Sequence, residues 1–268
     1  MHRGLKSYLY GLILNLQFFT IIPFSKEVPI TDHVIKRSVE LFPLLGLIQG
    51  GIFVSGLYLF LDTAGFSILA SALFLWLLII IISGAIHLDG WIDCSDAYFS
   101  YRNTEKRLDI MSDSRVGAFG VISVIILLAV RFLFIFETIS SLKPITYIFI
   151  LLIPFLGKMF MGLILYYLPL AKDEGMGHFF KKALINQTPW IYFIFILIAG
   201  IGIYMLSPQY VFKFIILMSA LVLIFIILRK KLVNWFDGIT GDVIGASVEG
   251  VETFLWMMIW IYHYFGMV

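Results

Sequence analysis

Residues 66–86 read FSILASALFLWLLIIIISGAI, an apolar stretch that carries no charge. A transmembrane α-helix needs about 20 consecutive, mostly apolar residues. Further runs of this kind cover residues 41–61, 118–137, 144–168, 190–207, 210–228 and 250–265. They lack the alternating pattern of barrel strands, and a helix satisfies its own backbone in lipid. The sequence therefore predicts an all-α, polytopic integral membrane protein with about seven transmembrane helices.

The composition supports this prediction. Hydrophobic residues make up 61% of the chain and charged residues only 13%, whereas a soluble domain carries about 25% charged residues. The net charge of +2 comes without a basic stripe that could follow a phosphate backbone, so we expect no nucleic-acid partner. A single cysteine, Cys94, excludes an intramolecular disulfide. Nothing in the pattern suggests a linker, so residues 1–268 are expected to form one membrane domain.

Long and short connections alternate between the apolar runs. The short connections, near 62–65, 138–143 and 208–209, are almost free of positive charge, whereas the long ones hold most of the lysines and arginines. The long connections cover residues 25–40, 87–117, 169–189 and 229–249. Because basic loops stay on the cytoplasmic side, we expect all of them, including active-site loops 87–117, 169–189 and 229–249, on the cytoplasmic face.

The N-terminal segment, residues 7–24, is long enough to span but less apolar. If it spans, the basic residues Arg3 and Lys6 lie outside, against the positive-inside rule. A re-entrant or interfacial helix ending at Pro23 would keep both of its flanks in the cytoplasm. We therefore expect an N-terminal helix that is re-entrant, interfacial or an eighth span.

Clustered aspartates mark the segment HLDGWIDCSD, residues 87–96. Asp89, Asp93 and Asp96 stand at i, i+4 and i+7, so they share one face of a helix. Like charges stacked in this way repel each other unless a cation lies between them. Mg²⁺ takes oxygen ligands and bridges to substrate phosphates, and it suits such a site. A solvated loop would also collect charges, but several of these adjoin apolar spans, where acids are costly and usually functional.

Other polar segments are expected on the same membrane face. Arginines and lysines interleave with the acids and could bind phosphate oxygens, and Lys172-Asp-Glu-Gly-Met-Gly-His178 combines glycines with cationic groups. Asp242, Glu249 and Glu252 recur at roughly helical spacing, and Lys158 lies within an apolar run, where it needs a partner or a phosphate.

Several of these segments resemble the cobalamin synthase family, the adenosylcobinamide-GDP ribazoletransferases of the bacterial inner membrane. The resemblance includes FPLLG at residues 42–46, HLDGxxDxxD at 87–96 and RLxIMxDSRxGxxG at 107–120. It continues with GMGHF at 175–179 and TGDxxGA at 240–246. The chain departs from the family pattern at Ile21, Ala97 and Lys158, where the family tends to have Arg, Gly and Arg.

The resemblance implies a reaction. A ribose hydroxyl of α-ribazole, or of its 5′-phosphate, attacks the cobinamide-linked phosphorus of adenosylcobinamide-GDP, GMP leaves, and adenosylcobalamin or its 5′-phosphate forms with Mg²⁺ required. Such chemistry depends on positioning and charge neutralisation. The predicted metal ligands are Asp89, Asp93, Asp96, Asp113, Asp242, Glu249 and Glu252. The predicted catalytic residues are His87, Arg107 and Arg115. The predicted substrate-binding residues are Arg102, Lys106, Lys158, Lys172, Gly175, Gly177, His178, Gly241 and Gly245. The sequence leaves the oligomeric state open.

Three alternatives share parts of this pattern. A CDP-alcohol phosphotransferase also clusters aspartates, but its motif needs Asp-Gly where this chain has Asp93-Cys94. A prenyltransferase has two Asp-x-x-x-Asp motifs on distant helices, whereas Asp89…Asp93 and Asp109…Asp113 lie in one connection. A cation transporter would carry acids in broken helices at the midplane, whereas these acids cluster at the ends of spans.

Overall fold

The computed structural model describes residues 2–184 and 188–266, and helices form most of that part of the chain. The helices are α1 His2–Phe19, α2 Asp32–Glu40, α3 Phe42–Tyr58, α4 Ile68–Ile82, α5 Ile86–Phe99, α6 Thr104–Met111, α7 Ala118–Ser140, α8 Pro144–Tyr167, α9 Gly175–Lys181, α10 Thr188–Leu206, α11 Val211–Phe236 and α12 Gly241–Tyr264. The only β-type pairing in the described ranges is one isolated bridge between Leu170 and Ile239. The predicted all-α class is confirmed.

The long apolar helices match the predicted spans. Within the described ranges, six helical segments are long and apolar enough to cross a membrane, and a bent pair brings the number to seven. The six cover Phe42–Thr63, Ala118–Ser140, Pro144–Tyr167, Thr188–Leu206, Pro208–Phe236 and Gly241–Tyr264. The protein is therefore a polytopic membrane protein, as its apolar composition indicates. The N-terminal helix α1 is outside this set and packs beside α2, where the Asn15 side chain donates to the Ser38 carbonyl at 2.8 Å.

The helix in the predicted span 66–86 is confirmed but ends four residues early. The α4 helix ends at Ile82, and α5 starts at Ile86 after a bend of 84°. Gly84 and Ala85 both take left-handed conformations, with φ of 64° and 57°. This conformation cannot continue a right-handed helix, so the chain turns before the aspartate segment begins.

Two of the predicted loops are also mostly helical. Residues 87–117 contain α5 and α6, and within 229–249 the α11 helix runs on to Phe236 while α12 already starts at Gly241. The start of α12 is fixed by Thr240, whose hydroxyl accepts a hydrogen bond from the Val243 amide at 3.2 Å. The predicted span 250–265 is thus the second part of a longer helix that begins in the acidic region.

Helices α8 and α12 form the centre of the bundle. In α8, 83% of the apolar span is buried, against 11% in α10, whose side chains face outwards. The α3 helix crosses α8 closely at Gly46 and Gly50, where a Cβ atom would lie 2.4 Å from the Pro154 carbonyl oxygen and 2.3 Å from that of Leu151. Small residues spaced by four allow this approach between membrane helices.

Candidate active site

The acidic face of α5 lies against the first turn of α12. A Cβ atom on Gly90 would be 2.6 Å from the carbonyl oxygen of Asp242, so only glycine permits the two helices to come this close. Asp89, Asp96 and Asp242 are all near enough to Asp93 for their charges to act on its carboxyl group. The structure therefore brings together four of the predicted metal ligands, from two segments about 150 residues apart in sequence.

The Asp96 carboxylate accepts hydrogen bonds from two backbone amides at the start of α7. Its Oδ2 accepts a hydrogen bond from the Gly117 amide at 2.7 Å, and its Oδ1 accepts one from the Gly120 amide at 2.8 Å. A Cβ atom on Gly117 would lie 2.4 Å from an Asp96 carboxylate oxygen, and one on Gly120 would lie 2.5 Å from the other, so both would collide with it. Asp96 therefore caps the N-terminus of α7, where unpaired amides favour a negative charge.

Three of the predicted segments surround one small cavity of about 100 Å³. His87 and Asp89 come from α5, Gly177 comes from α9, and Gly241 and Asp242 come from the start of α12. Three rings, those of Phe19, Phe42 and Phe180, line the apolar side. The cavity thus combines carboxylates with an aromatic wall.

His87 is the most enclosed polar residue of this cavity, with 4% of its surface exposed. Its ring stacks on Phe19 with 5.8 Å between centroids. In the described part of the chain its Nε2 atom is buried and has no hydrogen-bond partner. Gly245 packs on its backbone so closely that a Cβ atom there would lie 3.2 Å from the His87 Cα atom. Since buried polar groups are nearly always paired, Nε2 is a group that a ligand would satisfy.

The connection between α8 and α9 contributes a lysine near the acids. The Lys172 ammonium donates to the Leu108 carbonyl oxygen at 3.2 Å and to the Ser112 hydroxyl, and its charge acts on Asp242. Gly175 starts α9 with φ of 82°. The Nδ1 atom of His178 is buried and lacks a hydrogen-bond partner among the described residues.

The remaining predicted cations lie in more exposed positions. Arg115 pairs with Asp113 at 2.6 Å and is 87% exposed, and hydrogen bonds from its side chain and then its backbone amide lower the pKa of Asp113 to about 2. Lys106 pairs with Asp109 at 3.3 Å on the surface. Arg102 is exposed.

Arg107 is directed to the end of α11. It donates to the Trp235 carbonyl oxygen at 3.2 Å, and its guanidinium lies over the Tyr98 ring at 5.5 Å.

The described residues contain no group of three or more His, Cys, Asp or Glu side chains with the geometry of a metal-binding cage. Asp89, Asp93 and Asp242 nevertheless offer hard oxygen atoms close together, a donor type that suits Mg²⁺. Mg²⁺ is usually held by one or two carboxylates together with substrate phosphates and water rather than by a complete protein cage.

The sequence matches the cobalamin-5-phosphate synthase family model over residues 11–260. The chain belongs to this family. A relative from Geobacillus sp. (strain WCH70), named adenosylcobinamide-GDP ribazoletransferase, is 40% identical over 264 residues, 96% of this chain and 98% of the relative. Relatives of the same name from Halalkalibacterium halodurans and Clostridioides difficile (strain 630) are 36% and 33% identical, over 96% and 93% of this chain and 98% and 96% of their own lengths. No solved structure matches.

In this member of the cobalamin-5-phosphate synthase family, Glu249 and Glu252 have cationic partners inside the bundle. Glu249 pairs with Arg131 at 2.5 Å, and Glu252 pairs with Lys158 at 3.6 Å. Both glutamates follow Asp242 on α12, but a rise of 1.5 Å per residue puts them roughly 10 and 15 Å further along the helix. The structure thus separates the two glutamates from Asp242, whereas the charge of Lys158 still acts on His87 in the small cavity.

Arg131 is a buried charge that is absent from the residues predicted above. This residue is 1% exposed and lies in the middle of the apolar α7 helix of this family member. A charge inside a predicted span needs an internal partner, as at Lys158, and this signal was present in the sequence of α7 as well.

Proposed function

We propose that this chain is an adenosylcobinamide-GDP ribazoletransferase of the bacterial cytoplasmic membrane, with its basic connections in the cytoplasm. The match to relatives of that name over almost the whole of both chains carries the proposal. The chemistry of the cavity supports it, since four of the five segments that resemble the family motifs contribute residues to its wall. Clustered carboxylates beside an apolar wall suit a substrate that joins a diphosphate to a large organic group.

The reaction exchanges one phosphorus–oxygen bond for another. A ribose hydroxyl oxygen of α-ribazole, or of its 5′-phosphate, forms a bond to the cobinamide-linked phosphorus, and the bond from that phosphorus to the GMP oxygen breaks. The hydroxyl proton passes to a base, and GMP leaves with the electron pair of the broken bond. Adenosylcobalamin or its 5′-phosphate is the product. The protein contributes mainly by positioning the groups and neutralising charge.

Asp89, Asp93 and Asp242 would hold Mg²⁺ in this proposal. When bound, the ion would neutralise the diphosphate and the departing GMP. Of the other acids counted as ligands from the sequence, Asp96 caps α7, Asp113 pairs with Arg115, and the two glutamates of α12 pair with buried cations. These four would support the fold or the approach of substrate rather than bind the ion.

His87 is the proposed general base. Its Nε2 atom has no hydrogen-bond partner in the described part of the chain, and the residue lines the same cavity as Asp89 and Asp242. A base must lie within hydrogen-bond reach of the proton that it takes. The packing of its ring on Phe19 fixes its orientation. The three phenylalanines of the wall would exclude water, which limits hydrolysis of the diphosphate. Lys172, next to Asp242, would pair with a phosphate oxygen.

The test is turnover by the purified full-length protein in detergent–lipid micelles. Adenosylcobinamide-GDP, α-ribazole and Mg²⁺ are supplied, and corrinoids and nucleotides are separated by chromatography. We expect equimolar cobalamin and GMP, lost on chelation and strongly reduced in Asp93→Asn at the same Mg²⁺ concentration. Asp109→Asn is the matched control, because this aspartate is exposed and pairs with the exposed Lys106, and it should retain turnover. Folded wild-type protein that forms no cobalamin would overturn the proposal, and CDP-alcohols would then be the next substrates to assay.

A further inference from the structure

A second, larger cavity of about 480 Å³ lies between α5, α7, α11 and α12. Its wall includes Trp91, Tyr98 and Ile224, together with Trp235 and Ala246. None of its lining residues lines the small cavity beside the aspartates. It is therefore a separate feature that the proposed reaction does not use.

The cavity is long and apolar. On α11 its wall extends from Ile224 to Phe236, which at 1.5 Å per residue is roughly 18 Å along the helix. Its serine hydroxyl groups already have partners. Ser95 donates to the Trp91 carbonyl oxygen at 2.7 Å, Ser247 donates to that of Val243 at 2.7 Å, and Ser123 accepts from the Trp91 ring at 2.8 Å. A polar ligand would leave its own groups unpaired here at a cost in free energy. A linear hydrocarbon chain fits both the shape and the wall.

One end of this cavity is cationic. Tyr98 and Trp235 meet there with 4.6 Å between ring centroids, and each ring carries a cation. Arg107 lies over Tyr98 at 5.5 Å, and Lys231 lies over Trp235 at 5.4 Å. The buried Nε of Arg107 has no hydrogen-bond partner in the described ranges, so this donor is left unsatisfied.

We propose that this cavity binds one acyl chain of an anionic phospholipid, with the lipid phosphate at Arg107 and Lys231. Three of the four helices that form the wall, α7, α11 and α12, are candidate membrane-spanning segments, so a lipid reaches the cavity from the bilayer. Basic residues at the end of a membrane helix attract anionic headgroups, and the arginine provides hydrogen bonds to phosphate oxygens. This inference is independent of the reaction proposed above.

The experiment uses the full-length protein in dodecyl maltoside micelles with phosphatidylglycerol that carries a photoreactive diazirine in one acyl chain. After illumination, labelled peptides are mapped by mass spectrometry. We expect label on α5, α11 and α12, and a lower yield with the phosphatidylcholine analogue. Lys231→Ala should lower the phosphatidylglycerol yield about fivefold. Lys230→Ala is the matched control, since this neighbouring exposed lysine does not lie over the Tyr98 or Trp235 ring. It should leave the yield unchanged.

A second variant tests the cavity itself. Ala246→Phe fills the space and should abolish labelling of α5, with folding checked by size-exclusion chromatography; if this variant does not fold, the Lys231 and Lys230 pair still decides. Label spread evenly over α10 and α11, or equal yields for both lipids, would overturn the proposal. Competition by glycerol phosphate would indicate a site for free phosphate esters, and competition by α-ribazole would indicate a substrate site; either result also overturns it.

Discussion

Arg131 on α7 and Glu249 on α12 form an ion pair inside the helical bundle, with 2.5 Å between Nη2 and Oε2. Both side chains are buried, and the Arg131 guanidinium also donates to the Thr253 hydroxyl at 2.9 Å. Charges at membrane depth are stable only when they are paired. The pair therefore fastens α7 to α12, and α12 carries Asp242 at its start.

Removal of one member of this pair should destabilise the protein strongly. Arg131→Leu leaves the Glu249 carboxylate buried without its cation, and such changes cost about 3–5 kcal/mol. We expect a large drop in the thermal midpoint of the purified protein in detergent. The double variant Arg131→Leu with Glu249→Leu should recover most of the loss, because no charge remains unpaired. Lys106→Ala, which breaks only an exposed pair, should change stability by less than about 1 kcal/mol. If Arg131→Leu and Lys106→Ala lowered the stability equally, this view would be contradicted.

Asp96 and Asp93 should respond differently to the same substitution. Asp96 holds two amides of α7, so Asp96→Asn should lower the unfolding midpoint, as the loss of a helix cap does at about 1 kcal/mol. Asp93→Asn should raise the Mg²⁺ concentration needed for half-maximal turnover and leave the midpoint near the wild-type value. Mg²⁺ titrations and thermal scans of both variants make the comparison. If Asp96→Asn shifted only the Mg²⁺ requirement, the aspartate would be a metal ligand and its cap would be incidental.

His87→Gln should lower kcat by about 10²- to 10⁴-fold, the usual contribution of a general base. KM should change little, because the side chain volume and the cavity wall are nearly preserved. Steady-state kinetics with α-ribazole, together with a thermal scan, separate this role from packing on Phe19. A loss of stability with unchanged kcat per folded molecule would mean that His87 only fills the space beneath that ring.

The sequence predicted the aspartate face well, because i, i+4 and i+7 spacing is a property of any helix. It did not predict where the helix points, because the bend before α5 depends on left-handed conformations at Gly84 and Ala85 within a run that is otherwise apolar. The same periodicity wrongly grouped Glu249 with the aspartates, because residues on one face of a helix point in the same direction but lie at different positions along its axis. Its partner Arg131 lies 118 positions away in sequence, a distance over which no local pattern identifies a contact.

Two neighbouring glycines on α3 provide a final test of how the bundle is held together. A Cβ atom at Gly50 would lie 2.3 Å from the Leu151 carbonyl oxygen of α8, whereas one at Gly51 meets nothing within 4 Å. Gly50→Ala should therefore force the two helices apart and cost about 1–3 kcal/mol. Gly51→Ala adds the same methyl group one position further on, and it should be neutral or stabilising by up to about 1 kcal/mol, because alanine favours helix. Thermal midpoints of both variants in the same detergent decide the matter, and similar losses at the two positions would mean that α3 does not approach α8 along this face.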